Sequence, residues 1–318
     1  MHARLFVLLF AVICGLERAR CWSQSTPTGP HRPTLSTPLQ TQTMLDVEAN
    51  VPRFRKQFFQ GFDVRTGFAG ELSSRETAVH QTFEEVRASF GVPLLSLDNL
   101  LAVSPSFRID HLNGPNTSDL DVPETLYNVG VTFFNRRQWT SKLSTLILVT
   151  PSVRSDFTTS ENAYRTFGLG LLNWQWREDF AWTIGAVFLD RADFGVLPAI
   201  GATWTPKPWW RVELTMPRPR VARRLWKQGA EAECWSYVGF GIGGNTWSVT
   251  REIGNVESID ELSLRSIDLQ FGVETIRAGN RGWFAEGGYA FARQLEYESD
   301  EFQQDLSDAL FIRAGIQF

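Results

Sequence analysis

Leu310-Phe311-Ile312-Arg313-Ala314-Gly315-Ile316-Gln317-Phe318, the last nine residues of a 318-residue chain, sorts into two sets. Leu310, Ile312, Ala314, Ile316 and Phe318 are all apolar, and Phe311, Arg313, Gly315 and Gln317 alternate with them. Successive side chains of a β-strand point to opposite faces, so the segment predicts a strand with one greasy side and one partly polar side. The same period recurs upstream. Ile267, Leu269, Phe271 and Val273 alternate with Asp268, Gln270, Gly272 and Glu274, and Tyr127, Val129, Val131 and Phe133 alternate with Asn128, Gly130 and Thr132. Leu143, Thr145, Ile147 and Val149 run down one side of a further segment. From residue 60 onward no stretch sustains a helical period, and the sequence predicts an all-β fold.

A soluble sandwich also alternates, so other features must separate it from a membrane barrel. Segments of about ten residues repeat, each bounded by turn residues, which is the pattern of a transmembrane barrel. The chain holds 12 Trp and 24 Phe. Trp139, Trp174, Trp176, Trp182, Trp204, Trp209, Trp210, Trp247 and Trp283 fall near segment ends, where a ring belongs at a membrane–water interface. The terminal Phe318, closing an alternating strand, resembles the C-terminal signal that barrel assembly machinery reads in bacterial outer-membrane proteins. The expectation is a transmembrane antiparallel up-and-down β-barrel of about 12–14 strands over residues 60–318.

Loop lengths refine the count. Short connections are expected around Asn135-Arg136-Arg137, Glu178-Asp179, Pro206-Lys207-Pro208 and Ala278-Gly279-Asn280, and long ones around 111–124, 155–163, 252–263 and 295–308. Strict alternation then requires a turn at Gly243-Gly244-Asn245 that splits 231–252 into two strands and brings the number to fourteen.

The N-terminal part reads differently. After Arg4, Leu5 to Leu16 form an apolar run that suits a signal peptide and is too short for a membrane-spanning helix. Ala19 and Cys21 stand at signal-cleavage spacing, so residues 1–21 are read as a signal peptide. Residues 22–43 are rich in Ser, Thr and Pro and are read as a disordered linker. Residues 44–59, with the patch Arg53-Phe54-Arg55-Lys56-Gln57-Phe58-Phe59, form a periplasmic lead-in, and the location implied is the bacterial outer membrane. Removal of the signal leaves Cys234 alone, which excludes an intrachain disulfide in the mature chain.

The sequence carries no recognisable catalytic motif. A net charge of −4 argues against a nucleic-acid partner. His31, His80 and His111 have no metal-ligand spacing, and Gly241-Ile242-Gly243-Gly244 lacks the Lys-Ser/Thr of a phosphate loop. No catalytic residue, metal or cofactor is expected, and the chain is not read as an enzyme. The one candidate for lipid chemistry is His80 with a serine on a neighbouring strand, against the simpler reading of a rim residue.

The polar set is more informative. If Ile267, Leu269 and Phe271 face lipid, then Asp268, Gln270 and Glu274 face the interior, as do Arg313 and Gln317, and by extension Glu286, Arg211 and Glu213. A midplane Arg or Lys on the lipid side costs roughly 2–4 kcal/mol, so these charges belong in a lumen. Two readings stand: a water-filled pore for passive diffusion of small solutes, or a salt-bridge network that plugs a structural or adhesion barrel. A lipid-modifying barrel enzyme is a third. Two charge clusters are read as outer loops: a basic hairpin tip of Arg218, Arg220, Arg223, Arg224 and Lys227, and an acidic loop of Glu296, Glu298, Asp300, Glu301, Asp305 and Asp308. Their functional reading is lipid-headgroup or divalent-cation binding, against plain solvated loops.

Pro217-Arg218-Pro219-Arg220-Val221, Gly241-Ile242-Gly243-Gly244-Asn245-Thr246-Trp247, Ala285-Glu286-Gly287-Gly288-Tyr289-Ala290-Phe291-Ala292-Arg293 and Arg313-Ala314-Gly315-Ile316-Gln317-Phe318 together resemble an uncharacterised family of bacterial outer-membrane β-barrels, associated chiefly with planctomycete-like organisms. The likeness is best over 165–318. It implies a location and an architecture but no reaction.

Overall fold

A computed structural model describes residue 51 and residues 57–71, 78–94, 96–114, 121–190, 195–253, 256–279, 281–299 and 302–318. The expected signal peptide, the linker and most of the lead-in lie outside the described residues.

The chain forms β1 (Phe59–Glu71), β2 (His80–Leu94), β3 (Ser96–Asn113), β4 (Thr125–Gln138) and β5 (Leu143–Ser155). There follow β6 (Tyr164–Arg177), β7 (Phe180–Phe188), β8 (Val196–Lys207), β9 (Trp210–Glu213) and β10 (Arg220–Gln228). The last are β11 (Ala232–Ile253), β12 (Val256–Arg277), β13 (Arg281–Tyr297), β14 (Phe302–Leu306) and β15 (Ala309–Gln317). Each strand from β1 to β13 pairs antiparallel with the next along the chain, β15 also pairs with β13, and β1 pairs with β15 from Asp63↔Gln317 to Glu71↔Ala309. That seam closes a barrel of fourteen strands. β14 is not a further stave. Arg293↔Leu306 and Ala290↔Ala309 keep one register, so β14 and β15 are a single return strand interrupted at Ser307-Asp308.

Both ends of the barrel, Phe59 and Gln317, lie at one rim, here the terminal rim. Its turns are tight because local polar groups satisfy the backbone. At the β4–β5 turn the Leu143 carbonyl accepts from the N–H groups of Trp139 and Thr140, while Thr140 Oγ1 accepts from those of Lys142 and Leu143. At the opposite, distal rim the staves end at very different heights. β9 has 4 residues and β10 has 9, whereas β11 and β12 have 22 each.

Several expected connections move. The turn at Gly243-Gly244-Asn245 does not exist, because β11 pairs with β12 without a break from Ala232↔Arg277 to Ile253↔Val256. Gly244 instead meets a different demand: its φ is 102°, and a Cβ there would collide with the Leu264 carbonyl. The count of fourteen is reached through the short hairpin β9–β10. Asn135-Arg136-Arg137 is strand, with the turn beyond it at 139–142, and Lys207 still belongs to β8. The loops placed at 252–263 and 295–308 are largely strand as well. The basic hairpin tip is overturned in the same way: Arg220, Arg223, Arg224 and Lys227 lie in β10, and only Arg218 is in the connection. Of the acidic loop, Glu296 is in β13, Glu298 is in a turn, Asp305 is in β14 and Asp308 is at the strand break, while Asp300 and Glu301 fall outside the described residues.

Exposed Trp139, Trp174, Trp176, Trp182, Trp204 and Trp209 cluster toward the terminal rim of β4 to β9. Arg137, Arg177 and Lys207 lie over the rings of Trp139, Trp176 and Trp209 at 3.9, 4.2 and 5.5 Å. Trp226 joins this belt. Trp247 does not: it is fully buried near the distal rim, which corrects its place in the girdle.

Candidate functional site

Paired residues on neighbouring strands share a face, so the registers divide all the side chains into two sets. The set holding Leu269, Phe271, Leu310 and Ile312 is exposed. The other set makes contacts that cross the ring: Trp247 of β11 and Leu262 of β12 cluster with Leu126 of β4. Such a contact is possible only inside, so this second set is the interior.

One arc of that interior is ionic. Glu213 on β9 binds Arg211 at 2.8 Å and Arg220 on β10 at 2.5 Å, and Arg220 reaches over β11 to Glu274 on β12 at 3.2 Å. Tyr237 on β11 donates to Glu286 on β13 at 2.8 Å, and Arg313 on β15 binds both Glu286 at 3.5 Å and Asp268 on β12 at 2.7 Å. Rings lie against the wall between these charges. Tyr237 occupies the space over Gly272, where a Cβ would strike the phenol ring, and the Arg313 guanidinium lies 4.1 Å from the Phe311 ring. The lattice continues through Asp63 and Arg65, Arg87 with Glu85, and Arg108 with Asp110, the last two at 2.6 Å. Six of the eight residues predicted for the interior, Arg211, Glu213, Asp268, Glu274, Glu286 and Arg313, are therefore joined by ion pairs. Gln270 packs over Gly239, and Gln317 approaches Asp63 at 3.5 Å beside a cavity of about 200 Å³ at the terminal rim. Phe318 is exposed, and its N–H donates to the Phe62 carbonyl at 3.0 Å.

The facing arc is apolar, and sequence inspection missed it. The register puts Phe134↔Leu148, Leu148↔Leu169, Leu169↔Val187 and Val187↔Leu197 in one rung across β4, β5, β6, β7 and β8. A second rung runs Leu146↔Leu171, Leu171↔Gly185 and Gly185↔Ala199. These leucines are only half-buried. An inward side chain reaches solvent only through the interior. Val187 and Ala199 of the same rungs are 2% and 0% exposed, so the arc meets open space at its leucines and not along its whole length.

At the distal rim the interior is dry. Trp247 and Val249 of β11, Leu262 and Leu264 of β12, Leu295 and Tyr297 of β13 and Leu306 of β14 pack against Val79, Leu112, Val122 and Leu126 from the β1–β4 side. Buried ion pairs frame this core: Arg251–Asp260 at 3.3 Å and Arg293–Glu71 at 2.9 Å, with Arg293 also donating to the Val79 carbonyl at 3.0 Å. The β5–β6 connection holds β11 from the other side. Asp156 N–H donates to the Ser248 carbonyl at 3.3 Å, and Thr250 N–H donates to Asp156 Oδ2 at 2.8 Å. Burial works to raise the Asp156 pKa, but hydrogen bonds from Thr250, Thr158 and Thr159 outweigh it and hold the carboxyl below its ordinary range.

His80 offers no catalytic pair among the described residues. Its Nδ1 accepts from Glu71 N–H at 3.3 Å, and its ring stacks on Phe68. His111 lies 3.7 Å from Glu84, both exposed. Among the described residues no three His, Cys, Asp or Glu converge as metal ligands, and Cys234 is buried in β11.

A family model described as "Domain of unknown function (DUF6268)" matches residues 99–309, well over half of the chain. The chain belongs to that family. The match starts earlier than the likeness seen in the sequence and ends before the terminal Phe318. No curated protein matches the chain. Among solved structures, this family member is similar to the TodX monoaromatic hydrocarbon channel deltaS2 mutant, with a TM-score of 0.41 and 10% identity over 82% of this chain and 89% of that one. OpdL of Pseudomonas aeruginosa gives 0.29 and 8% over 81% and 97%, and OccD3 (OpdP) of the same organism gives 0.29 and 8% over 85% and 93%. Scores this low say nothing about activity.

Proposed function

We propose that the protein is a bacterial outer-membrane channel through which small solutes diffuse passively, with the terminal rim on the periplasmic side. Tight turns at one rim and a tall, uneven distal rim support that orientation. The outward apolar set and the Trp belt support the membrane location. The observation that supports the channel itself is the row of partly exposed leucines on β5, β6 and β8 that faces a wall of paired charges. A barrel filled by its own side chains would leave those leucines dry.

A second reading has an observation of its own. The distal core closes one mouth and favours a structural barrel with a plugged interior. Planar-bilayer recording decides between them. The native protein is expected to give infrequent ion-permeable steps, and the doubly substituted Trp247→Ala, Leu262→Ala protein is expected to give frequent ones, because the seal then loses two of its central side chains. Absence of steps from both proteins would leave the plugged barrel.

The proposed partners are outer-membrane lipid and the barrel assembly machinery, the latter through Phe318; the folded yield of Phe318→Ala measures that part. No lipid-cleaving or acyl-transfer activity is expected, and an assay with His80→Ala as control tests it.

A further inference from the structure

The strand pairing leaves a gap in the wall. β8 is held on its β9 side only from Ala202 onward, through the Leu214 N–H to Ala202 carbonyl bond at 2.8 Å and the pairs Thr203↔Glu213 and Trp204↔Val212. β11 is held on its β10 side only as far as Phe240, whose N–H donates to the Pro219 carbonyl at 3.0 Å. Its next contact on that flank is Ser248 with the β5–β6 connection. Between these limits, Val196–Ile200 of β8 and Ile242–Thr246 of β11 have no ladder partner on the facing side among the described residues. The cause is sequence length: β9 and β10 are too short to fill the wall to its full height.

An unpaired edge is costly in hydrocarbon, so such edges persist only where they line a cavity or have few orphan groups. The β8 edge shows the second device. Because Ala202 bonds toward β9, alternate residues 200, 198 and 196 turn their backbone groups to the gap. One of them is Pro198, which has no N–H to orphan. The connection under the gap carries Pro217 and Pro219.

The gap also lies at membrane depth. Ile200 is four residues above Trp204 of the belt and Val196 is eight. With a rise of 3.3 Å per residue and a tilted strand, these stand about 10 and 20 Å above the belt, inside an apolar band about 25 Å tall. Val196 and Ile200 are 64% and 61% exposed, and Leu214 and Met216 below them are exposed too. Behind this greasy frame, Leu197 and Ala199 begin the two interior apolar rungs. On the β8 side the path from lipid to lumen is apolar and runs past partly exposed Leu197, whereas Arg218 and Asn245 border it on the β11 side.

We propose that the gap between β8 and β11 is a lateral portal, through which small apolar or amphipathic molecules exchange between the outer half of the bilayer and the apolar arc of the interior. The proposal rests on the channel reading and names its solute class. Two of the segments that carry the resemblance, Pro217–Val221 and Gly241–Trp247, form its lower and side borders, which gives them a role other than turn-making.

The test uses full-length protein carrying Cys14→Ser, Cys21→Ser and Cys234→Ser in proteoliposomes, with Leu197→Cys behind the portal and lipid-facing Ile184→Cys as reference. Both thiols sit in apolar surroundings that suppress the thiolate alike, so their rates with bilayer-partitioned N-(1-pyrenyl)maleimide are expected to agree within about tenfold. Pyrene attached behind the portal is expected to be quenched by lipids with brominated chains. Reaction a hundredfold or more slower than the reference, or pyrene that brominated lipid leaves unquenched, overturns the portal. If Leu197→Cys fails to fold, as judged by heat-modifiable mobility, Leu169→Cys further along the same rung serves instead. Conductance of the same preparations separates the two ideas: steps with unquenched pyrene sink the portal alone, and quenched pyrene without steps sinks the aqueous channel alone.

Discussion

Leucines line this barrel in two places and behave differently in each. At the distal rim, Leu262 and Leu295 are 0% exposed, locked with Trp247 between opposite sides of the ring. On β5 to β8, Leu148, Leu169 and Leu197 stand in an equally continuous row and remain partly exposed, although Val187 between the last two is buried. The difference lies in what faces them. The distal halves of β11 to β14 meet β1 to β4 across the interior, and apolar surface covers apolar surface. The middle of β5 to β8 looks across at an ionic lattice whose members already satisfy one another, so little greasy surface arrives to cover its leucines. The same residue type therefore seals one level of the lumen and leaves another accessible.

The contrast can be broken by measurement. Trp247→Ala carries the largest expected effect, a loss of about 3–5 kcal/mol, because a fully buried indole leaves a cavity. The onset of heat-modifiable mobility would fall markedly. Leu169→Ala is expected to lose about 1 kcal/mol or less, since its side chain borders solvent already and no enclosed void forms. Comparable losses for the two would mean that the β5–β8 row is packed after all, and the contrast would fail. The smallest effect concerns the clamp at Asp156. Its carboxyl titrates lower in the folded protein than in an unfolded chain, so its stabilisation is present above the ordinary carboxylate pKa and disappears as pH falls through the depressed value. Acidification to that range is expected to increase proteolysis within 156–163 in the native protein and to change nothing in Asp156→Asn, which lacks the titration.

Much of this was legible beforehand, for a physical reason. A period of two is imposed by the strand itself, so Leu310 to Phe318 and Ile267 to Glu274 could be assigned faces without knowing their neighbours. Asp268, Glu286 and Arg313 were placed inside on that ground, and they are found bound to one another. Contacts across the ring were not legible. Trp247 was assigned to the membrane interface because an aromatic ring near a strand end fits either place, and only the approach of Leu126 and Val79 tells them apart. Glycine was ambiguous likewise: Gly243-Gly244 read as a turn, whereas one of the two admits a passing carbonyl within an unbroken strand. The apolar arc went unseen because its members lie on four separate strands and align only once the register is known.

In the proposed membrane setting, the inequality of stave lengths reaches into the surrounding lipid. Acyl chains beside the nine-residue β10 meet a lower greasy collar than those beside the 22-residue β12. A bilayer accommodates such mismatch by thinning, at a fraction of a kcal/mol for each ångström. The leaflet around this protein would then be dimpled on one flank, and that flank is where neighbouring thin-walled proteins or short-chain lipids would gather.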